Sequence, residues 1–206
     1  MDIVYDFYFE IKKIYLENGW SFSDDINIFG LRNIENTDKD IWNDYICVTH
    51  NEEVYVFRGT TDPGKWYTKH HKTGASHLCY GLHKKVWMVG THGRKHPQNP
   101  ALICHWRCKK AKMWYDTNRD GKNNDKTYGY EWAIDCHTSL RNDPSYIGKS
   151  SAGCQVIRNH DEFFNKFMYM IMESASYKKK KSFKFDYALL DINQLDKKFS
   201  DIIKKI

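Results

Sequence analysis

The residues best placed to do chemistry lie in one stretch. Asp135-Cys136-His137-Thr138-Ser139 is followed by Ile147-Gly148-Lys149-Ser150-Ser151-Ala152-Gly153-Cys154-Gln155-Val156-Ile157. Cys154 is the candidate nucleophile and His137 its candidate base. A thiol with a pKa of about 8.5 is mostly protonated at neutral pH, and an adjacent imidazole can take that proton and stabilise the thiolate. The small residues Ser151-Ala152-Gly153 allow a tight turn before the cysteine. Such a turn can aim the Gly153 and Cys154 N–H groups at a developing oxyanion, with the Ser151 hydroxyl as a further hydrogen-bonding group. A backbone carbonyl near Thr138 or Ser139 can orient the imidazole.

Around this pair, Thr138, Ser139 and Gln155 are candidate substrate contacts. So is His92, in the flexible turn Gly90-Thr91-His92-Gly93, which can line a cleft and bind substrate or orient His137. Asp116-x-Asn118-x-Asp120-Gly121 has the oxygen spacing of the first half of a calcium loop, but Thr127 stands where the bidentate glutamate belongs. It reads as an Asx-rich turn with at most a weak Ca²⁺ site. Cys104-x₃-Cys108 and Cys79-x₃-His83 have zinc-like spacing for a helix, yet both segments look extended. No metal or other cofactor is required by the cysteine chemistry. Lys178 to Lys181 reads as a solvated loop rather than a nucleic-acid contact.

These residues need elements to hold them. Residues 3 to 18 have helical periodicity (Phe7, Tyr8, Ile11, Ile14, Tyr15), and Asn18-Gly19 is a natural stop. Residues 45–48 and 54–57 read as a hairpin around Asn51-Glu52. Arg58-Gly59-Thr60-Thr61-Asp62-Pro63-Gly64 is a dense turn signal. Further strands are expected at 85–89, 101–106, 112–115 and 131–137, and a late one at 183–190. After Cys154, Asn159 and Glu162 form a capping-box pattern that opens a helix lined by Phe163, Phe167, Met168 and Ile171. Leu195, Phe199 and Ile202 stripe a closing helix. Many short strands at this spacing predict a sandwich or barrel-like sheet rather than βαβ units.

The bulk numbers fit one domain spanning residues 1–206: an N-terminal helix over 1–20, a β-rich core over 45–157 and C-terminal helices and strand over 159–206. With 41% hydrophobic and 16% aromatic residues a packed core is expected. The net charge of +6 suits an anionic partner without choosing one. No run of about 18 apolar residues suggests a membrane span, and the opening residues lack the pattern of a leader. The expectation is synthesis in a cytoplasm, with any action on a cell wall needing another route of delivery. The six cysteines have no framework spacing and are expected to be reduced.

The histidine, the Ile147-Gly148-Lys149 triplet and Ser151-Ala152-Gly153-Cys154 resemble, in order and nearly in spacing, the signature of the L,D-transpeptidase catalytic family. Thr60-Thr61-Asp62-Pro63-Gly64, Gly90-Thr91-His92-Gly93 before Pro100-Ala101-Leu102, Asp116 to Gly121, and Ser151 to Val156 are similar to a bacteriophage-type subgroup. The resemblance implies a mostly-β, α+β domain, an L,D-transpeptidase-like β-sandwich with N-terminal and C-terminal helices. It also implies acyl transfer or hydrolysis on peptidoglycan stem peptides through Cys154, a phage protein cleaving wall more than cross-linking it. Two positions depart from the family: Thr138 stands where glycine follows the histidine, and Val156 where an arginine follows the cysteine. The alternative is a catalytically silent virion or wall-binding module on the same fold.

Overall fold

The computed structural model describes residues 3–35, 40–93, 99–132, 134–139 and 141–206. It opens with α1 (Ile3–Glu17), whose Phe7, Tyr8, Ile11, Ile14 and Tyr15 are buried as their spacing requires. Gly19, at φ +69°, ends it in the left-handed conformation. Three strands follow: β1 (Ile26–Arg32), β2 (Asp44–His50) and β3 (Glu53–Thr60). β2 and β3 form the expected hairpin. Asn51 and Glu52 both have positive φ, the pattern of a two-residue turn whose twist matches that of its strands.

Next come α2 (Lys65–His70), β4 (Ala75–Leu78), β5 (Gly81–Thr91), β6 (Pro100–Ile103), β7 (Ala111–Asp116), β8 (Tyr128–Glu131), β9 (Cys136–Thr138) and β10 (Gln155–Ile157). A helical run starts with α3 (His160–Glu162), capped by the Asn159 side chain on the Glu162 N–H. It passes through a π-helical segment (Phe163–Met168) into α4 (Tyr169–Glu173) and α5 (Ala175–Lys179). β11 (Phe185–Asp191), a short 3₁₀ turn (Ile192–Gln194) and α6 (Lys197–Ile203) complete the chain.

The protein is mostly β. Eight strands close a barrel in the order β1-β11-β5-β6-β9-β10-β3-β2, and β4-β7-β8 form a separate three-stranded sheet. Of the sandwich or barrel-like sheet that the strand spacing allowed, a closed barrel is formed, in place of the β-sandwich that the resemblance implied. Closure depends on β1 pairing parallel to β11 and antiparallel to β2, which joins strands from the two ends of the chain. Alternation of apolar residues along a strand does not encode such a distant pairing. A second correction concerns residues 131–137, expected as one strand. They divide between two sheets, Glu131 ending β8 and Cys136 opening β9.

Alternate strand residues face opposite ways. Ile28, Ile46, Phe57, Leu102, Cys136, Ile157 and Leu189 share one cluster with Phe163 and Phe167 of the π-helical segment, and Leu78 and Met113 of the small sheet join it. Phe29, Leu31, Tyr45, Cys47 and Leu190 face the other way, against α1 and the C-terminal Leu195 and Phe199. The Phe and Met residues after Cys154 are therefore core. No helix among the described residues is long and apolar enough to cross a membrane. None of the six cysteines is in a disulfide.

Candidate active site

The turn before Cys154 is fixed from several sides. Ser151 Oγ donates to the Cys154 carbonyl at 2.8 Å and accepts from the Gly153 N–H at 3.1 Å. The Gly64 N–H donates to the Ser151 carbonyl at 2.9 Å. Gly153 has φ +126°, and a Cβ there would stand 2.4 Å from the Ser76 carbonyl oxygen of β4. Only glycine fits. The Gly153 N–H that the sequence offered to an oxyanion is thus held by Ser151, whose hydroxyl positions the turn.

Beyond the turn, β10 lies parallel to β9, with Gln155 opposite Cys136, Val156 opposite His137 and Ile157 opposite Thr138. Since side chains alternate, Cys154, Val156 and His137 share one face of the pair, away from the Cys136 and Ile157 face that enters the core. Cys154 and His137 are diagonal neighbours on adjacent strands, roughly 8 Å apart at Cα by strand geometry. Cys154 packs with Trp42, Ile147 and Val156.

Gln155, expected as a substrate contact, points the other way. It is fully buried, accepts from the Tyr187 hydroxyl at 2.8 Å, and reaches the Thr61 and Gly153 carbonyls at 3.4 and 3.3 Å. It is a positioning residue for the turn. The reason is the strand period: a residue next to Cys154 cannot share its face.

His137 Nδ1 lies 2.8 Å from the Thr138 carbonyl oxygen. A carbonyl only accepts, so Nδ1 carries the proton and Nε2 is the basic nitrogen. His92 stacks on the His137 ring, with centroids 3.8 Å apart and planes 5° from parallel. Its Nδ1–H donates to Asp135 Oδ2 at 2.7 Å, while Asp135 Oδ1 accepts from the Cys104 N–H at 2.7 Å. His92 thus braces the base. The bond from His92 to Asp135 was not legible in the sequence, because the two residues are 43 positions apart.

Burial dominates the electrostatics. It pushes the Cys154 thiol up to about 12, helped by the nearby Asp135 carboxylate and opposed by a hydrogen bond from the Asp135 backbone. Burial and then the stacked His92 bring His137 down to about 4, against the pull of the Thr138 carbonyl and Asp135. At neutral pH the resting groups are therefore a thiol and an uncharged imidazole.

A cleft of about 980 Å³ opens on this face. His92, His137, Thr138 and Ser139 form one wall, Trp66 and His70 of α2 another, and the 141–150 loop a third. That loop is pinned by Asp40, which accepts from the Gly148 N–H at 3.1 Å, and by Lys149 over the Trp66 ring at 4.4 Å. Cys154 is only 7% exposed, does not line the cleft, and shares a buried cluster with Ile147 of the same loop. Thr138 Oγ1 donates to the Ile157 carbonyl, and Ser139 Oγ lies 3.3 Å from Ser150 Oγ. The structure brings His92, His137, Thr138 and Ser139 together on the cleft, while Cys154 precedes β10 at the end of the strand pair opposite Ser139.

It leaves Asp116, Asn118 and Asp120 elsewhere, at the end of β7 and in the turn that follows. Asp116 accepts from the Asp120 and Gly121 N–H groups at 3.1 and 3.0 Å, so this is the Asx turn. Cys104 and Cys108 thiols donate to main-chain carbonyls. Among the described residues no group of three His, Cys, Asp or Glu side chains is arranged to hold a metal ion.

No family model, curated protein or solved structure matches this chain. What the site can do follows from its own groups. A buried thiol, a fixed basic nitrogen on the same face and an adjoining cleft fit acyl transfer through a covalent intermediate.

Proposed function

We propose that this protein is a cysteine acyltransferase or peptidase acting on peptidoglycan stem peptides, as the resemblance of its His137 to Cys154 segment to the L,D-transpeptidase signature implies. The observation that supports the reading most is the placement of His137 and Cys154 on one face of adjacent parallel strands, with Nδ1 anchored on Thr138. His137 Nε2 takes the thiol proton as Sγ attacks the substrate carbonyl. The C–S bond forms, the C–N bond breaks, and the imidazolium returns its proton to the leaving amine. Water then releases the acyl group as an acid, or a second amine takes it. Water is the favoured acceptor, since Val156 replaces the family's substrate-assisting arginine.

The test is incubation of the purified protein with tri- and tetrapeptide stem muropeptides, read by mass spectrometry. Shortened or exchanged peptides are expected from the wild type and none from Cys154→Ser. Full turnover by Cys154→Ser sinks the reading.

The high thiol pKa and the replaced arginine favour a second reading, a wall-binding module whose cysteine is silent. It requires sedimentation with purified sacculi and no muropeptide product from the wild type.

A further inference from the structure

We propose that the pocket beside the three-stranded sheet is a second site, which binds a small anionic ligand carrying an O–H or N–H next to its phosphate or carboxylate group. The pocket holds about 790 Å³. Its floor is the outer face of the small sheet, where the register places His77, Trp114 and Tyr128 in one row across β4, β7 and β8. Arg32 at the end of β1, Thr68 and Lys69 of α2, and the turn after β7 close the sides.

Its charge is strongly one-sided. Arg32 is already used: it pairs with Asp62 at 3.0 Å and donates to the Thr61 and Leu78 carbonyls. Lys69, Lys112, Arg119 and Lys122 also line the pocket and make no ion pair within the described residues. The other acid on the wall, Asp120, is held by the Asn124 amide at 2.7 Å and the Lys122 N–H at 2.8 Å. Clustered cations in a concave surface draw an anion and gain hydrogen bonds from it.

His77 adds a second, independent requirement. Its ring is locked by stacking on Trp114, 3.9 Å between centroids, and by Nδ1 bonding to Asp62 at 2.9 Å. Its side chain is 7% exposed, and its buried Nε2 has no hydrogen-bond partner. With Nδ1–H held on Asp62, Nε2 is the accepting nitrogen of that tautomer. An unmet buried acceptor is costly, and a ligand that donates to it removes that cost. The lysines therefore select negative charge, and His77 selects an anion that retains a proton donor. Neither requirement involves Cys154.

The distinguishing probes are inorganic phosphate, which keeps a P–O–H at neutral pH, sulfate, which keeps none, and citrate, a carboxylate with a hydroxyl. Isothermal titration of the full chain at pH 7 and low salt is expected to show phosphate or citrate binding about fivefold or more tightly than sulfate, the effect of one hydrogen bond. Whichever of phosphate and citrate binds better identifies the anionic group. Lys112→Gln with Lys122→Gln should weaken binding at least about tenfold, while Lys178→Gln with Lys179→Gln leaves it unchanged. His77→Phe should abolish the preference over sulfate. Because His77 is buried, the exposed lysine pair keeps the test valid if that variant does not fold. Cys154→Ser should bind as the wild type does, which separates this site from the proposed catalysis. Sulfate binding as tightly as the better of phosphate and citrate, no measurable binding, or binding indifferent to Lys112 and Lys122 overturns the proposal.

Discussion

At the residue scale, Cys154 and His137 are each held in the uncharged form. A thiol near 12 leaves on the order of 10⁻⁵ of the cysteine ionised at pH 7. A standing thiolate is therefore not the nucleophile of the resting state, and proton transfer to His137 must accompany attack. The observable is alkylation of Cys154 by iodoacetamide, followed by peptide mass spectrometry across about pH 6 to 9. The rate should rise steadily with pH and reach no plateau. A plateau below about pH 8 would reveal a low-pKa thiolate and refute the buried-thiol description. His92 belongs to the same argument. Its ring, fixed by Asp135, stacks on His137 and disfavours a positive charge there.

At the element scale, the strand pair β9–β10 sets which side chains meet, and the turn into β10 sets where the nucleophile begins. Two substitutions probe the turn. Ser151→Ala removes the donor to the Cys154 carbonyl and the acceptor of the Gly153 N–H, both buried, and should cost about 2 kcal/mol in chemical denaturation. Gly153→Ala forces a Cβ against the Ser76 carbonyl at a positive φ and should cost about 3 kcal/mol or more. Wild-type stability in Gly153→Ala would mean that the turn is not clamped against β4. Gln155, from inside the barrel, ties the same turn to Tyr187 of β11, so the site's geometry rests on barrel closure.

At the scale of the whole molecule, burial of the base couples the site to acid stability. The His137 imidazole titrates at about 4 in the fold against 6.5 for the ordinary group. Between those values the unfolded chain binds a proton that the folded chain refuses. The associated stability is complete above about pH 6.5 and is lost as pH falls towards 4, by about 3 kcal/mol in all. Asp44 acts in the opposite sense. Burial and the neighbouring Asp62 raise it to about 6, so the fold gains a proton between about pH 6 and 4 and partly offsets the loss. Comparing the wild type with His137→Gln isolates the histidine. The variant's stability should fall less steeply between pH 6.5 and 4, and parallel curves would show that His137 is not the buried group responsible. Of the same molecule-wide kind is the buried network of Arg32, Asp44, Thr61 and Asp62, which joins β1, β2 and the turn after β3.

Some of this is local and therefore legible in the sequence. Helical periodicity marked α1, the two residues Asn51-Glu52 marked the hairpin, and Asn159 with Glu162 marked the start of the helical run, because each depends on neighbours within a few positions. The types and order of His137, Ser151, Gly153 and Cys154 likewise named the candidate chemistry. Other features depend on groups far apart in the chain. The pairing of β1 with β11 closes a barrel rather than a sandwich, and the parallel register of β9 and β10 puts His137 with Cys154 while turning Gln155 inward. His92 meets Asp135, and His77 meets Asp62, only across the fold. The charge states of Cys154 and His137 were decided there too, since desolvation is a property of the packed interior. The sequence by itself determined which reactive groups exist; only the tertiary structure decided which of them meet, which face the cleft and which carry a charge.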